Sequence, residues 1–163
     1  MPTPQLPSEV LAMMRRGVSA IVASRDADLR PSLMRAMATR VGEDGAGITV
    51  YLARSQAGQV LQDIAANGHI AVVFSEPSTH RTVQVKATRV QVRQAGASDE
   101  AAVARYLASM ERELAHVYIP APLTRAMLAC RLEDLVAVSF VPEYAFDQTP
   151  GPQAGTRLPG MRA

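Results

Sequence analysis

The chain has 163 residues, 48% of them apolar and 20% charged, which suits one globular domain with a sizeable core. Its formal net charge of +2 is small, and no dense Lys/Arg block is interleaved with aromatics, so nucleic acid is not an expected partner. The single cysteine, Cys130, excludes an internal disulfide and a cysteine-based metal site, and its apolar surroundings suit a small core residue.

The first residues lack the basic-then-apolar pattern of a signal peptide, and no apolar run approaches the ~20 residues that cross a bilayer, so a cytoplasmic protein with no membrane partner is expected. Residues 1–7 hold Pro2, Pro4 and Pro7 and should be loose. Ser8 can cap a helix over 9–16 that stops at Gly17. A strand over 18–24 and a turn at 25–28 follow. A second strand is expected over 33–41, then a glycine-rich loop at 42–47. Ile48, Val50 and Leu52 alternate with Thr49 and Tyr51 as a third strand. Over 55–67 the period changes: Val60, Leu61, Ile64 and Ala65 share a helical face, and Asn67-Gly68 ends it.

Residues 70–94 read as a β-hairpin. Its first arm, Ile70-Ala71-Val72-Val73-Phe74, is continuously apolar, which suits a strand buried on both faces. In the second arm, 81–93, the apolar parity shifts from Val83, Val85 and Ala87 to Val90 and Val92, which predicts a one-residue bulge near 87–89. Ser98-Asp99-Glu100 opens the clearest helix, with Val103, Tyr106, Leu107, Met110, Leu114 and Val117 on its apolar side and Pro120 and Pro122 closing it. A short helix over 123–132 and a strand over 135–141 complete the core. Residues 147–163, rich in glycine and proline, read as a tail or arm. Short loops between most strands favour antiparallel pairing, and hence a mainly β fold: a small closed or split barrel with helices at its side.

Four features carry candidate chemistry, each with a plainer reading beside it. Arg35 and Arg40 could clamp a phosphate bidentately or be surface arginines; five residues apart, they lie on opposite faces of a flat strand and converge only through twist or a bulge. Ser55 and Gln56 open a helix, whose unpaired N–H groups can seat a phosphate; Ser55 can equally be a cap. Gln84 and Lys86 share the polar face of the second hairpin arm. An amide there can both donate to and accept from the heteroatom edge of a planar ring, or the face can simply be solvated. His69, His80 and His116 lack metal-ligand spacing, so no metal site is expected. His80, at the hairpin loop, is retained as a candidate ligand or proton-transfer group.

Three stretches together resemble a known family. They are the basic-to-basic strand from Arg35 to Arg40, the run Tyr51-Leu52-Ala53-Arg54-Ser55 with the helix ending Ala66-Asn67-Gly68-His69, and Phe74-Ser75-Glu76-Pro77 through Arg81-Thr82-Val83-Gln84-Val85-Lys86. In order and spacing they are similar to the pyridoxamine 5'-phosphate oxidase-like FMN-binding split β-barrels, over about residues 8–146. The resemblance implies a six-stranded antiparallel split barrel of Greek-key type with three to four helices, preceded by the segment 1–7 and followed by the tail 147–163. It implies a homodimer with FMN in an interfacial groove and hydride transfer to or from a small-molecule substrate. The phosphate would meet Arg35, Arg40, Arg54, Ser55 and Gln56, and the ring Tyr51, Gln84 and Lys86. The family's Ser-Arg-Lys phosphate loop is here Ser55-Gln56-Ala57-Gly58-Gln59, without its cations. The family's C-terminal Trp is missing too, so pyridoxamine phosphate is not the expected substrate. The alternative is a non-catalytic protein on the same scaffold, holding haem, another planar ligand or no cofactor.

Overall fold

The computed structural model describes residues 5–43 and 45–162; residues 1–4 of the expected loose start and Asp44 of the expected loop lie outside the described residues. Those described form two antiparallel sheets and four α-helices. In chain order the elements are α1 (Ser8–Arg15), β1 (Ser19–Arg25), β2 (Pro31–Arg35), β3 (Ala38–Val41), β4 (Ile48–Ala53), α2 (Gly58–Asn67), β5 (Ile70–Ser75), β6 (Thr82–Ala87), β7 (Val90–Gln94), α3 (Glu100–Ala115), α4 (Ala121–Met127), β8 (Leu135–Phe140) and β9 (Tyr144–Asp147). Strand order is β2-β1-β5-β6-β9 in one sheet and β3-β4-β8-β7 in the other.

Two of the expected strands are shared between the sheets. The segment 33–41 starts as β2 beside β1 and continues as β3 beside β4. The change takes place between neighbours: Ala36 donates its N–H to Ala20 at 2.9 Å, and Met37 donates to Tyr51 at 2.8 Å. The segment 81–93 likewise leaves β5 at Ala87 and joins β8 at Val90. The parity shift read as a bulge is thus a corner at Thr88-Arg89. Glu143 braces it, accepting from the Thr88 N–H and hydroxyl. Each corner turns one sequence run into two strands, which raises the strand number above the six expected. The short β9, its Tyr144 and Phe146 alternating with Ala145, was not foreseen because four residues carry too little pattern beside a proline- and glycine-rich segment.

The inner faces of the sheets enclose the main core, including Val22, Val50, Val72, Phe74, Val85 and Val138. Helices α1 and α2 add Val10, Met13 and Met14, and Val60 and Ile64. A second core lies on the outer face of the four-stranded sheet, where Tyr51, Leu135 and Ala137 meet Tyr106, Met110 and Leu114 of α3 and Leu128 after α4. Strand β4 is therefore buried on both faces. Strand β5 is not: its burial alternates, Ala71 and Val73 being half-buried on an outer sheet face. The apolar run signalled an apolar surface there, since among the described residues no second layer covers that side.

Several helix boundaries differ from expectation: α1 begins at Ser8, with Pro7 and not Ser8 at its cap position, α4 ends at Met127 and not at 132, and two helix starts move for local reasons. Helix α2 starts at Gly58, because 54–56 form a tight turn after β4. Pro120 and Pro122 stand at the start of α4 instead of merely closing α3, since proline suits a first helical turn. The segment after β9 folds back on the sheet: Leu158 donates its N–H to Ala145, and Leu158 and Met161 pack against the main core.

Gly68 ties α2 to the second corner. It adopts φ 73° and donates its N–H to Ile64 at 2.8 Å, and a Cβ there would lie 2.8 Å from the Thr88 carbonyl oxygen. Gly68→Ala is expected to destabilise the protein by about 1–3 kcal/mol. The measurement is urea unfolding, read as a lower midpoint at an unchanged m-value.

Candidate functional site

The pairing register builds a surface on the outer face of the five-stranded sheet. One row crosses all five strands as Arg35, Ile21, Val73, Gln84 and Phe146. The next reads Leu33, Ala23, Ala71, Lys86 and Tyr144. Apolar groups fill its middle, and Leu33 is 64% exposed at its edge. Arg35 donates to the Ser19 hydroxyl at 3.0 Å. Lys86 sits over the Phe146 ring, 5.2 Å from its centroid, and Arg157 of the folded-back tail lies over both Tyr144 and Phe146. Arg35, Gln84 and Lys86 therefore share one face, with Arg35 and Gln84 three strand spacings apart, roughly 14 Å.

Arg40 lies on a different sheet. It pairs with Thr49 on the outer face of the four-stranded sheet and borders a groove of about 1110 Å³ between the end of α1, the β3–β4 loop and α3. The corner at 36–37 separates it from Arg35. Tyr106, in the groove wall, is pushed above its ordinary pKa range by burial, with the Arg35 guanidinium opposing that shift.

Tyr51 is fully buried under α3. Its hydroxyl donates to Asp99 Oδ1 at 2.8 Å. Burial, then this bond, pushes its pKa up to about 12. Asp99, also fully buried, accepts from both Arg93 nitrogens at 2.7 and 2.8 Å and from the Gly96 N–H at 3.0 Å. Arg93 is the chief reason its carboxyl is held well below the ordinary range. This buried network joins β4, β7 and the start of α3.

The Ser55 turn is already occupied by an anion of the chain itself. Asp134 accepts from the Ser55 N–H at 3.0 Å and from its hydroxyl at 2.6 Å. The Ser55 bonds hold the Asp134 carboxyl below its ordinary pKa. Arg54 donates to the Gln94 side-chain oxygen at 3.2 Å. Gln56 is exposed in the turn, and its N–H donates to Ala53.

Within one chain the expected residues thus fall into four places: the outer sheet face (Arg35, Gln84, Lys86), the groove (Arg40), the interior (Tyr51) and the loop after β4 (Arg54, Ser55, Gln56). His80 is an exposed turn residue with φ 60°. Cys130 packs against the second core, where burial pushes its thiol pKa up. Among the described residues no cluster of His, Cys, Asp or Glu is gathered as a metal ion would need, and no helix is long and apolar enough to cross a membrane. Sequence reading missed Asp134 as the partner of Ser55, because 79 residues separate them. It also missed the polar stripe Arg105, Ser109 and Arg112 on α3, continued by His116 at its C-terminal cap, although the i, i+4, i+7, i+11 spacing was there to be read.

No protein-family model matches the chain, and no curated protein matches its sequence. Solved structures do match. An F420 reductase superposes with a TM-score of 0.59 at 15% identity, over 86% of this chain and 98% of that one. A Lactobacillus delbrueckii protein provisionally assigned as a pyridoxamine 5'-phosphate oxidase gives 0.57 at 16% identity, over 90% and 97%. A Clostridium acetobutylicum protein related to general stress protein 26, of the pyridoxinephosphate oxidase family, gives 0.51 at 15% identity, over 84% and 83%. The two-sheet architecture is that of the split barrels. In particular, the chain has the fold of the pyridoxamine 5'-phosphate oxidase-like proteins, and at these identities the likeness is one of fold.

The Asp99 network makes a pH-dependent prediction. A carboxyl whose folded pKa is depressed stabilises the fold fully above its unfolded value, and that contribution is lost as pH falls toward the folded value. Asp99→Asn is expected to cost about 3 kcal/mol near neutral pH. Urea unfolding at neutral pH and near about pH 3, below the ordinary aspartate value of ~3.9, should show this gap narrowing in acid.

Proposed function

We propose that the chain forms a homodimer that binds FMN in a groove between its two copies and acts as a flavin-dependent oxidoreductase on a small molecule other than pyridoxamine 5'-phosphate. The observation that carries this reading is the uncovered face of the five-stranded sheet. Arg35, Gln84 and Lys86 stand there among half-buried apolar side chains, the surface a planar, partly anionic ligand and a second copy would cover together. Counted through its corners, the strand system reduces to six long strands plus the short β9, in keeping with a six-stranded Greek-key barrel.

The residues present fit FMN in part. Gln84 can donate to or accept from the heteroatom edge of the ring, Lys86 adds a cation at the same face, and Arg35 can pair with phosphate. Arg54, Ser55 and Gln56 lie on another surface of the same chain, so an interfacial groove is the arrangement that brings both sets to one ligand. Tyr51 would act through the sheet, since its hydroxyl is committed to Asp99. When bound, the flavin supplies the hydride chemistry; the chain binds it, orients it and shields it from water.

The purified protein is expected to be yellow, absorbing near ~450 nm, and to release FMN on denaturation. Added FMN should raise the melting temperature of protein stripped of it. Arg35→Ala should weaken FMN binding by about 1.5–3 kcal/mol in a fluorescence titration, and an unchanged affinity would remove Arg35 from the site.

A second reading, a non-catalytic binding protein on the same scaffold, is favoured by the Asp134 carboxylate on the Ser55 turn. One substitution separates the two. If the phosphate uses that turn, Asp134→Ala removes a competing anion and should tighten FMN binding by roughly tenfold. Colourless wild-type protein with no thermal response to FMN supports the second reading. A Soret band in such a sample would identify haem as the planar ligand.

A further inference from the structure

The corner at Thr88-Arg89 carries a smaller groove of its own. It measures about 530 Å³ and lies between the start of β7, the end of β8 and the Val141-Pro142-Glu143 link to β9. Val90, Phe140, Val141 and Pro142 give it an apolar lining, and Val141 is 48% exposed. Arg89, Gln91, Ser139, Glu143 and Arg162 supply its polar groups.

The charges of this lining do not cancel. Glu143 is its acid, with a side chain only 12% exposed. The Glu143 carboxylate accepts from the Thr88 N–H at 3.2 Å, from the Thr88 hydroxyl at 2.9 Å and from Arg162 at 3.3 Å. That pairing uses Arg162 and leaves Arg89 over. Arg89 is exposed and has no acidic partner among the described residues. The other cations of the same run are turned elsewhere: Lys86 sits over the Phe146 ring on the outer sheet face, and Arg93 is held by Asp99. Ser139 is committed as well, since its hydroxyl shares a hydrogen bond with Thr49 at 2.8 Å.

Arg89 also stands on a firm support. Thr88 before it is bonded to Glu143, and the Thr88 carbonyl lies so near Gly68 that a Cβ there would approach it to 2.8 Å. A guanidinium presented from a fixed corner loses less freedom on binding than one carried by a mobile loop.

From this we infer that the groove binds a small monocarboxylic acid with an apolar body, its carboxylate paired with Arg89 and its body laid against Phe140, Val141 and Pro142. One guanidinium fork matches one carboxylate bidentately. A dianion would bring a second negative charge that finds no unpaired cation and meets Glu143 instead. An uncharged apolar molecule would leave the Arg89 charge unanswered. The volume lies within the range of small-molecule sites and takes a single ring or a short acyl chain. The inference does not rest on the flavin reading, because Arg35, Gln84, Lys86 and the Ser55 turn do not line this groove.

Titration of the full chain with benzoate, followed by backbone amide shifts in NMR, tests it. Saturable shifts are expected at Val90, Gln91 and Val141. Acetate, which lacks the body, and benzamide, which lacks the charge, should each bind at least about tenfold more weakly. Arg89→Ala should lose at least about tenfold in benzoate affinity, and Arg89→Lys, which keeps charge but not the fork, should fall between it and wild type. Arg125→Ala removes one exposed charge, paired with Glu111 at 2.6 Å outside the groove, and should change affinity by less than about twofold. The melting temperature of each variant shows whether it is folded. Shifts confined to the outer sheet face, around Ile21, Val73 and Gln84, would overturn the proposal, as would no saturable shift at all. So would acetate or benzamide binding as tightly as benzoate, an unchanged affinity in folded Arg89→Ala, or an equal loss in Arg125→Ala. Inorganic phosphate that binds more tightly than benzoate and is lost in Arg89→Ala would overturn it too.

Discussion

At Ala36 and Met37 the backbone exchanges partners, one N–H donating to β1 and the next to β4. That exchange, with its counterpart at Thr88-Arg89, makes two continuous runs of chain common to both sheets. Sheets tied by shared strands must face each other across one core, and the inward residues of both meet there. The remaining layers follow from where the helices have room. Helix α3 covers the outside of the four-stranded sheet and buries β4 twice over, while the outside of the five-stranded sheet keeps Ile21, Val73 and Phe146 only partly covered. One side of the molecule is thereby finished within the chain and the other is left as an apolar surface bearing cations.

Much of this architecture could be read from the sequence, because it rests on local pattern. The helical faces of α2 and α3, the alternation of β4 and the parity shift after Ala87 are properties of consecutive residues. The shift was visible but ambiguous: a bulge inside one sheet and a corner between two leave the same trace in a single strand, and only the partners of Val90 distinguish them. For the same reason the apolar run of β5 and the fully buried β4 were assigned opposite degrees of burial. Periodicity reports which residues avoid water, but not whether the layer that covers them belongs to the same chain.

Site geometry was less legible, since it depends on long-range pairs. Ser55 looked like a phosphate donor from its position before a helix, yet a carboxylate from the far end of the sequence satisfies both of its donor groups. Tyr51 looked like a ring contact from its neighbours, and is instead held beneath α3 by a carboxylate that sequence reading treated as part of a helix start. In both cases a buried or constrained polar group found an internal partner, as such groups generally must. Only the tertiary fold says which partner.

The separation of Arg35 from Arg40 follows from the same corner. On a flat strand, a spacing of five would put them on opposite faces. Within the turn, Met37 and Ala38 both face the second core, which resets the alternation, so both arginines point away from the main core but on different sheets. Arg35 joins Gln84 and Lys86 across the open face, while Arg40 joins the polar stripe of α3. A spacing that suggests one phosphate clamp on a single strand therefore supplies two cationic surfaces on a bent one. The two surfaces are not electrostatically isolated, since the Arg35 guanidinium acts on Tyr106 in the groove wall.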